Sequence, residues 1–338
     1  MKTLIKYLWI LLLVSIQSCD SSSSRNEKIL DDSKIFSLGH KYTAWFLSHE
    51  LDSLIECIHD KKYTINHLQE FRERVKSQIG GEVKLLNERI VKGKSDKFFY
   101  YYVRYSKFDK INQPVKTIFS FDNNDNIFVF SVEALPEEAQ SKYHYYETKT
   151  KLSLPFKGEW HVSQGGRNIN HNQHAVAVDQ RFAYDFLIKR DKFTYENDGS
   201  KNEDYFCFNK EILAPGTGII VKILNDIDDS LPGEMPEIPG NYVIINHGNN
   251  EYSVLAHFKK GSIVVKPGDE VKIGQLLSYC GNSGHSSQAH LHYHLQNSPV
   301  IFEGEGLPAK FQSYNADGEF IERGEPFWDQ EVKNKIDE

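Results

Sequence analysis

Apolar residues in the first part of the chain return at helical steps. Over residues 29–80, Phe36, His40, Trp45, Phe46, Leu51, Leu54 and Ile55 recur mostly every three to five positions, and Leu68, Phe71, Val75 and Ile79 follow at three and four. This spacing lays one face of a helix against a core. Gly80-Gly81 ends the second helix, because glycine accepts the backbone turn that stops one. Alternation of period two then takes over at residues 98–105, 115–121 and 127–132, with Asp122-Asn123-Asn124-Asp125-Asn126 as the turn between the last two. Those segments read as half-buried strands. Two or three helices followed by a curled antiparallel sheet predict an α+β domain over residues 29–135.

That order of elements resembles the cone-shaped NTF2-like domains that precede hydrolase domains in some secreted bacterial proteins; no specific motif carries the likeness. Residues 136–155 are polar and tyrosine-rich, with Pro136 and Pro155 as breakers, and read as a linker. Beyond them, turn signals come at hairpin spacing: Ala214-Pro215-Gly216-Thr217-Gly218, Pro239-Gly240-Asn241, His247-Gly248-Asn249-Asn250, Lys266-Pro267-Gly268-Asp269 and Cys280-Gly281-Asn282-Ser283-Gly284. Short strands between such turns predict an all-β antiparallel sheet, sandwich or barrel, over residues 156–328. Residues 329–338 read as a polar tail.

The N-terminus changes the picture. Met1-Lys2-Thr3-Leu4-Ile5-Lys6 carries positive charge ahead of an apolar run over residues 7–16, which is too short for a membrane span and reads as an export signal. Ile16-Gln17-Ser18-Cys19 resembles a bacterial lipobox, which implies lipidation at Cys19 and a membrane-anchored protein of the cell envelope. The polar residues 20–28 suit a tether. The remaining cysteines, Cys57, Cys207 and Cys280, are widely spaced and form no disulfide or thiolate pattern; each reads as a small buried hydrophobe. Hydrophobic residues make up 39% of the 338, enough for two packed domains. The net charge of −7, with scattered basic residues, excludes a nucleic-acid footprint.

Candidate chemistry gathers in the second half. In His290-Leu291-His292-Tyr293-His294, strand alternation puts all three imidazoles on one face. Leu255-Ala256-His257-Phe258 places a histidine in an apolar strand. Asn172-Gln173-His174 and Gln180-Arg181-Phe182-Ala183-Tyr184-Asp185-Phe186 bring a histidine and a strand carboxylate near one another. A carboxylate between Tyr184 and Phe186 is costly to bury without a cation.

These elements, with Ala-Pro-Gly-x-Gly, Tyr-Val-x-Ile-x-His-Gly, Lys-Pro-Gly-Asp-x-Val-x-x-Gly-Gln and Gly-Asn-Ser-Gly, stand in the order seen in the lysostaphin-like M23 metallopeptidases. The resemblance covers residues 160–326. It implies one Zn²⁺ held by His174, Asp185 and His292, an open fourth position as in catalytic zinc sites, and catalytic roles for His257 and His290. It further implies hydrolysis of amide bonds in peptidoglycan stem peptides or cross-links. A catalytically silent activator of other wall hydrolases, or a zinc peptidase acting on another exported peptide, are the alternative readings.

Two departures from the family pattern stand out. Ten residues separate His174 from Asp185, more than in many relatives, so His171 is a rival first ligand, and Gln288-Ala289 precedes His290 where proline is common. Elsewhere the plainer readings prevail. His247 hydrogen-bonds at a strand end, His285 faces solvent, and His294 lies behind the matched pair or at the surface. Asp226, Asp228 and Asp229 form a solvated acidic loop without the spacing of a calcium loop. Sequence leaves the oligomeric state open.

Overall fold

The structure, a computed structural model, describes residues 11–12, 32–48, 50–92, 100–121, 124–191, 193–236 and 238–335. Cys19 and the tether at 20–28 lie outside these residues, as does the export segment apart from Leu11–Leu12. The chain divides into two units, Met1–Glu137 and Glu138–Glu338.

In the first unit, strand β1 (Leu11–Leu12) is followed by helices α1 (Asp32–Ser48), α2 (Leu51–Glu56) and α3 (Ile65–Gln78), then by β2 (Glu82–Lys92), β3 (Tyr100–Phe108), β4 (Val115–Phe121) and β5 (Ile127–Ala134). The strands form one sheet in the order β1-β5-β4-β3-β2, antiparallel throughout. Helix α1 buries Ile35, Leu38, Tyr42 and Phe46, one residue per turn, as an amphipathic helix should. Thr64 caps α3 by accepting from the His67 amide, and the His67 ring accepts in return from the Thr64 amide. Phe46, Phe71, Phe119 and Phe130 then pack helices against sheet, with the Phe119 and Phe130 rings stacked at 4.5 Å. Strand β2 went unanticipated, because its sequence mixes charged and apolar residues without clean alternation.

Apart from two short 3₁₀ turns, the regular elements described in the second unit are strands, joined by long turns and loops: β6 (Trp160–Gln164), β7 (Tyr184–Leu187), β8 (Glu211–Leu213), β9 (Gly218–Leu224), β10 (Asn241–Asn246), β11 (Tyr252–Phe258), β12 (Glu270–Val271), β13 (Leu276–Tyr279), β14 (Leu291–Gln296), β15 (Gly306–Leu307), β16 (Phe311–Ala316), β17 (Glu319–Gly324) and β18 (Glu331–Asn334). The main sheet runs β12-β9-β10-β11-β14-β7-β6-β18-β16-β17; β15 adds to β14, and β8 pairs with β13 apart from it. Every pairing between these strands is antiparallel.

Strand β14 lies at the centre and all six of its residues are buried. Leu291, Tyr293 and Leu295 enter the main core on one face, where Tyr184, Phe186 and Phe311 meet them. Alternation sends His292, His294 and Gln296 to the other face. Truncating an aromatic in this layer, such as Phe186, would cost about 3–5 kcal/mol.

Two boundaries differ from the sequence reading. Residues 138–155, expected as a linker, are bound into the second unit. Leu152 and Leu154 are in its core, and the fully buried Glu251 carboxylate accepts from the Tyr146 hydroxyl, the Lys149 and Thr150 amides and the Thr150 hydroxyl. Lack of periodicity hid this, since the segment is held by polar anchors at irregular positions. The expected tail at 329–338 holds β18, which pairs with β6 and β16 and buries Val332 completely. Cys207 and Cys280 are buried in the core as expected, and Cys57 is half-buried.

Candidate metal centre and flanking histidines

Register builds the site. On β14, His292 pairs with Ala256 of β11 on one side and with Asp185 of β7 on the other, and directly paired residues share a face. Asp185 thus stands beside His292 because Tyr184 and Phe186 occupy the core on either side of it. His174 arrives from a short 3₁₀ turn, Gln173–Val176, in which the Gln173 amide donates to Gln164 Oε1 and the His174 amide to Asn172 Oδ1. The Asn172 amide nitrogen donates to the carbonyls of Gly166 and Ala183, which fixes the loop.

The Asp185 carboxylate sits between two imidazoles. Its Oδ2 is 3.0 Å from His174 Nε2 and its Oδ1 is 3.0 Å from His292 Nδ1. One ligand-type atom from each of His174, Asp185 and His292 lies within 4.8 Å of the others. His171, the rival first ligand, is outside this grouping; its ring lies against Phe327 and Trp328 at 4.9 and 5.4 Å.

His257 and His290 border the cluster. Their ring centroids are 4.7 Å apart, His257 is 5.8 Å from His292 by the same measure, and His290 Nε2 is 3.6 Å from Asp185 Oδ1. Each is turned by a backbone carbonyl: His257 Nδ1 donates to Ser283 O and His290 Nδ1 to Gln288 O, both at 2.8 Å. Both Nε2 atoms therefore carry the lone pair in the neutral ring. His257 takes a left-handed conformation, φ 64°, uncommon outside glycine and frequent at functional sites. Gly240 makes room for this arrangement, since a Cβ there would sit 2.3 Å from Ser283 O and 2.9 Å from His257 Nδ1. Sequence reasoning found the histidines but missed their holders; Gly-Asn-Ser-Gly and Pro-Gly-Asn were the available signals.

The electrostatics follow from burial and proximity. For Asp185, burial raises the pKa, yet the surrounding imidazoles, His174 first, hold it well below the ordinary carboxylate range. For His174, burial works downward and the Asp185 charge more than offsets it, leaving the pKa raised. Burial pulls His257 down to about 3, His294 to about 4, and His292 well below its usual value. The residues suit a zinc ion: two imidazoles and one ionised carboxylate converge in a partly buried place, with donor atoms close enough for a common centre.

Residues 200–303 match the model described as peptidase family M23. Over those residues the chain is similar to the M23 peptidases. His257, His290 and His292 fall inside the matched residues, whereas His174 and Asp185 precede them. Peptidoglycan DD-endopeptidase ShyA of Vibrio cholerae is 45% identical over 84 residues, which cover 25% of this chain and 17% of that protein. An uncharacterized metalloprotease of Buchnera aphidicola is 34% identical over 99 residues, covering 29% of this chain and 23% of its own. The M23 match therefore spans less than a quarter of either curated relative. Among solved structures, the M23 metalloprotease pseudoalterin aligns at 15% identity with a TM-score of 0.32, over 54% of this chain and 99% of that one. A zinc-containing peptidase from Vibrio cholerae aligns at 13% identity with a TM-score of 0.28, over 73% of this chain and 65% of that one.

The other singled-out residues have structural partners. His247 Nδ1 donates to Thr217 O and its Nε2 meets Ser253 Oγ, each at 2.8 Å, as expected at a strand end. Asp229 accepts from the amides of Lys260 and Asn282, and Asp228 pairs with Lys260. His294, for which a surface place was one reading, is buried against His292.

Proposed function

We propose that this chain is a zinc-dependent endopeptidase that hydrolyses amide bonds in the peptide stems or cross-links of peptidoglycan. The observation that carries the reading is the convergence of His174, Asp185 and His292, with the rings of His257 and His290 beside them. His174, Asp185 and His292 would hold the zinc ion, which when bound polarises a carbonyl and makes a water more acidic.

The chain's own groups supply the rest. His257 and His290, each locked by a carbonyl at Nδ1, keep Nε2 as an acceptor that can take up a water proton, and the imidazolium so formed can present its Nε2–H to the developing oxyanion. Neither ring can rotate without breaking that bond, so the pair is preorganised. Asp185 stays ionised, which favours a divalent cation over an empty site. The peptidoglycan substrate is supported by the ShyA relative, a peptidoglycan endopeptidase. We further propose that Cys19 is lipidated and anchors the protein in the envelope, and that residues 29–135 form an NTF2-like domain that positions the peptidase.

Purified full-length protein, digested with defined cross-linked muropeptides and followed by mass spectrometry, tests the reading. Cleavage that disappears in His290→Ala and on chelation, and returns with zinc, is the expected result. No cleavage by a zinc-loaded wild type, or equal cleavage by His290→Ala, refutes it.

A further inference from the structure

We propose that His294 is a positioning residue that fixes which ring nitrogen His292 offers to the metal. The inference rests on the reading of His292 as a ligand. On β14 the three residues opposite the main core form a hydrogen-bonded row: His292 Nε2 meets His294 Nδ1 at 2.9 Å, and His294 Nε2 meets Gln296 Oε1 at 3.2 Å. His292, His294 and Gln296 are 5%, 3% and 0% exposed, so water is not an alternative partner.

The direction of this row is set at its far end. Gln296 Nε2 donates to two backbone carbonyls, Ser298 O at 2.7 Å and Val300 O at 3.1 Å. Carbonyls only accept, so the amide nitrogen must lie on that side and Oε1 must face His294. Oε1 also only accepts, and His294 Nε2 therefore carries the hydrogen. A neutral imidazole has one N–H, which leaves His294 Nδ1 as an acceptor. A second proton there would bury an unpaired positive charge. His292 Nε2 must then donate to His294, and His292 Nδ1 keeps its lone pair. That lone pair faces Asp185 Oδ1 at 3.0 Å. Two acceptors facing each other with no proton to share suit a cation between them. The backbone carbonyls of Ser298 and Val300 thus decide the tautomer of His292, six residues before the first of them.

Partners that hold a ligating histidine contribute about 10- to 100-fold in metal affinity. Two measurements test this on the full chain. Long-range proton–nitrogen NMR of nitrogen-15-labelled protein reads each tautomer directly, and Nε2–H is expected at His292 and His294, with and without zinc. An Nδ1–H form at either ring overturns the proposal. Zinc affinity, read by competition with a chelator, should fall about 10- to 100-fold in His294→Leu and be restored in His294→Asn, whose oxygen replaces the Nδ1 acceptor. Wild-type affinity in His294→Leu, or asparagine binding as weakly as leucine, also overturns it. If circular dichroism shows His294→Leu unfolded, the NMR arm and His294→Asn against wild type decide. A wild type that holds zinc and these tautomers yet cuts no peptide refutes the peptidase reading and leaves the positioning role standing. Cleavage with unchanged affinity in His294→Leu refutes the positioning role alone.

Discussion

Lowering the pH from 6.5 to 4 should destabilise the zinc-free second unit, and His257 should account for a defined share of the loss. Burial, reinforced by the neighbouring His290, lowers the His257 pKa from 6.5 to about 3. Between those values the unfolded chain binds a proton at this residue and the folded chain does not. The stabilising contribution is therefore complete above pH 6.5 and declines as pH falls through the window, by about 1.4 kcal/mol per pH unit. At pH 4 the decline reaches roughly 3 kcal/mol.

Asp185 retains its charge across this window, because its pKa lies well below 3.8. His174, whose pKa is raised, contributes a constant amount below 6.5 and loses it only at higher pH. His247, His292 and His294 also have lowered values and add to the decline, so the share of His257 must be isolated by substitution. His257→Asn suits the purpose, since asparagine tolerates φ 64° and its amide can donate to Ser283 O. Chelated wild type and variant would be compared by chemical denaturation at several pH values, with hydrogen exchange of β14 peptides reporting the second unit. The wild-type curve should be steeper by about 1.4 kcal/mol per pH unit. Parallel curves would refute the account of His257 as buried and neutral.

Other consequences are equally direct. Glu251→Ala strands the donors of Tyr146, Lys149 and Thr150 in a buried place and should cost roughly 3 kcal/mol, with faster hydrogen exchange over residues 138–155; a loss under about 1 kcal/mol would show that this segment is not anchored there. Gly240→Ala pushes a Cβ into Ser283 O and His257 Nδ1, so peptide cleavage should fall while zinc content, measured by atomic spectroscopy, stays at the wild-type level. His174→Ala should lose zinc on dialysis and His171→Ala should retain it, because the His171 ring lies against Phe327 and Trp328; the reverse outcome would exchange their roles.

Much of the site was legible because its residues carry local signals. The His-Leu-His alternation forces two imidazoles onto one face of a strand, and Asp185 between two aromatics announces a buried charge in need of partners. The helices of the first unit and three of its strands were legible from period alone, since burial of one face imposes that period. Residues 138–155 and 329–334 were not, because irregular segments are held by distant partners such as Glu251 and Trp160 that no local pattern reveals.

Sequence by itself determined which side chains could meet: chain order and alternation put His292 and Asp185 on strand faces and placed His174 in a loop. Only the tertiary structure decided that β7 and β14 are neighbours in a register that sets Asp185 opposite His292, that His171 turns away to Phe327, and that carbonyls of Ser283, Gln288, Ser298 and Val300 orient the rings. Register between distant strands and the direction of a hydrogen bond depend on the packing of the whole sheet, and neither is encoded in any short stretch of residues.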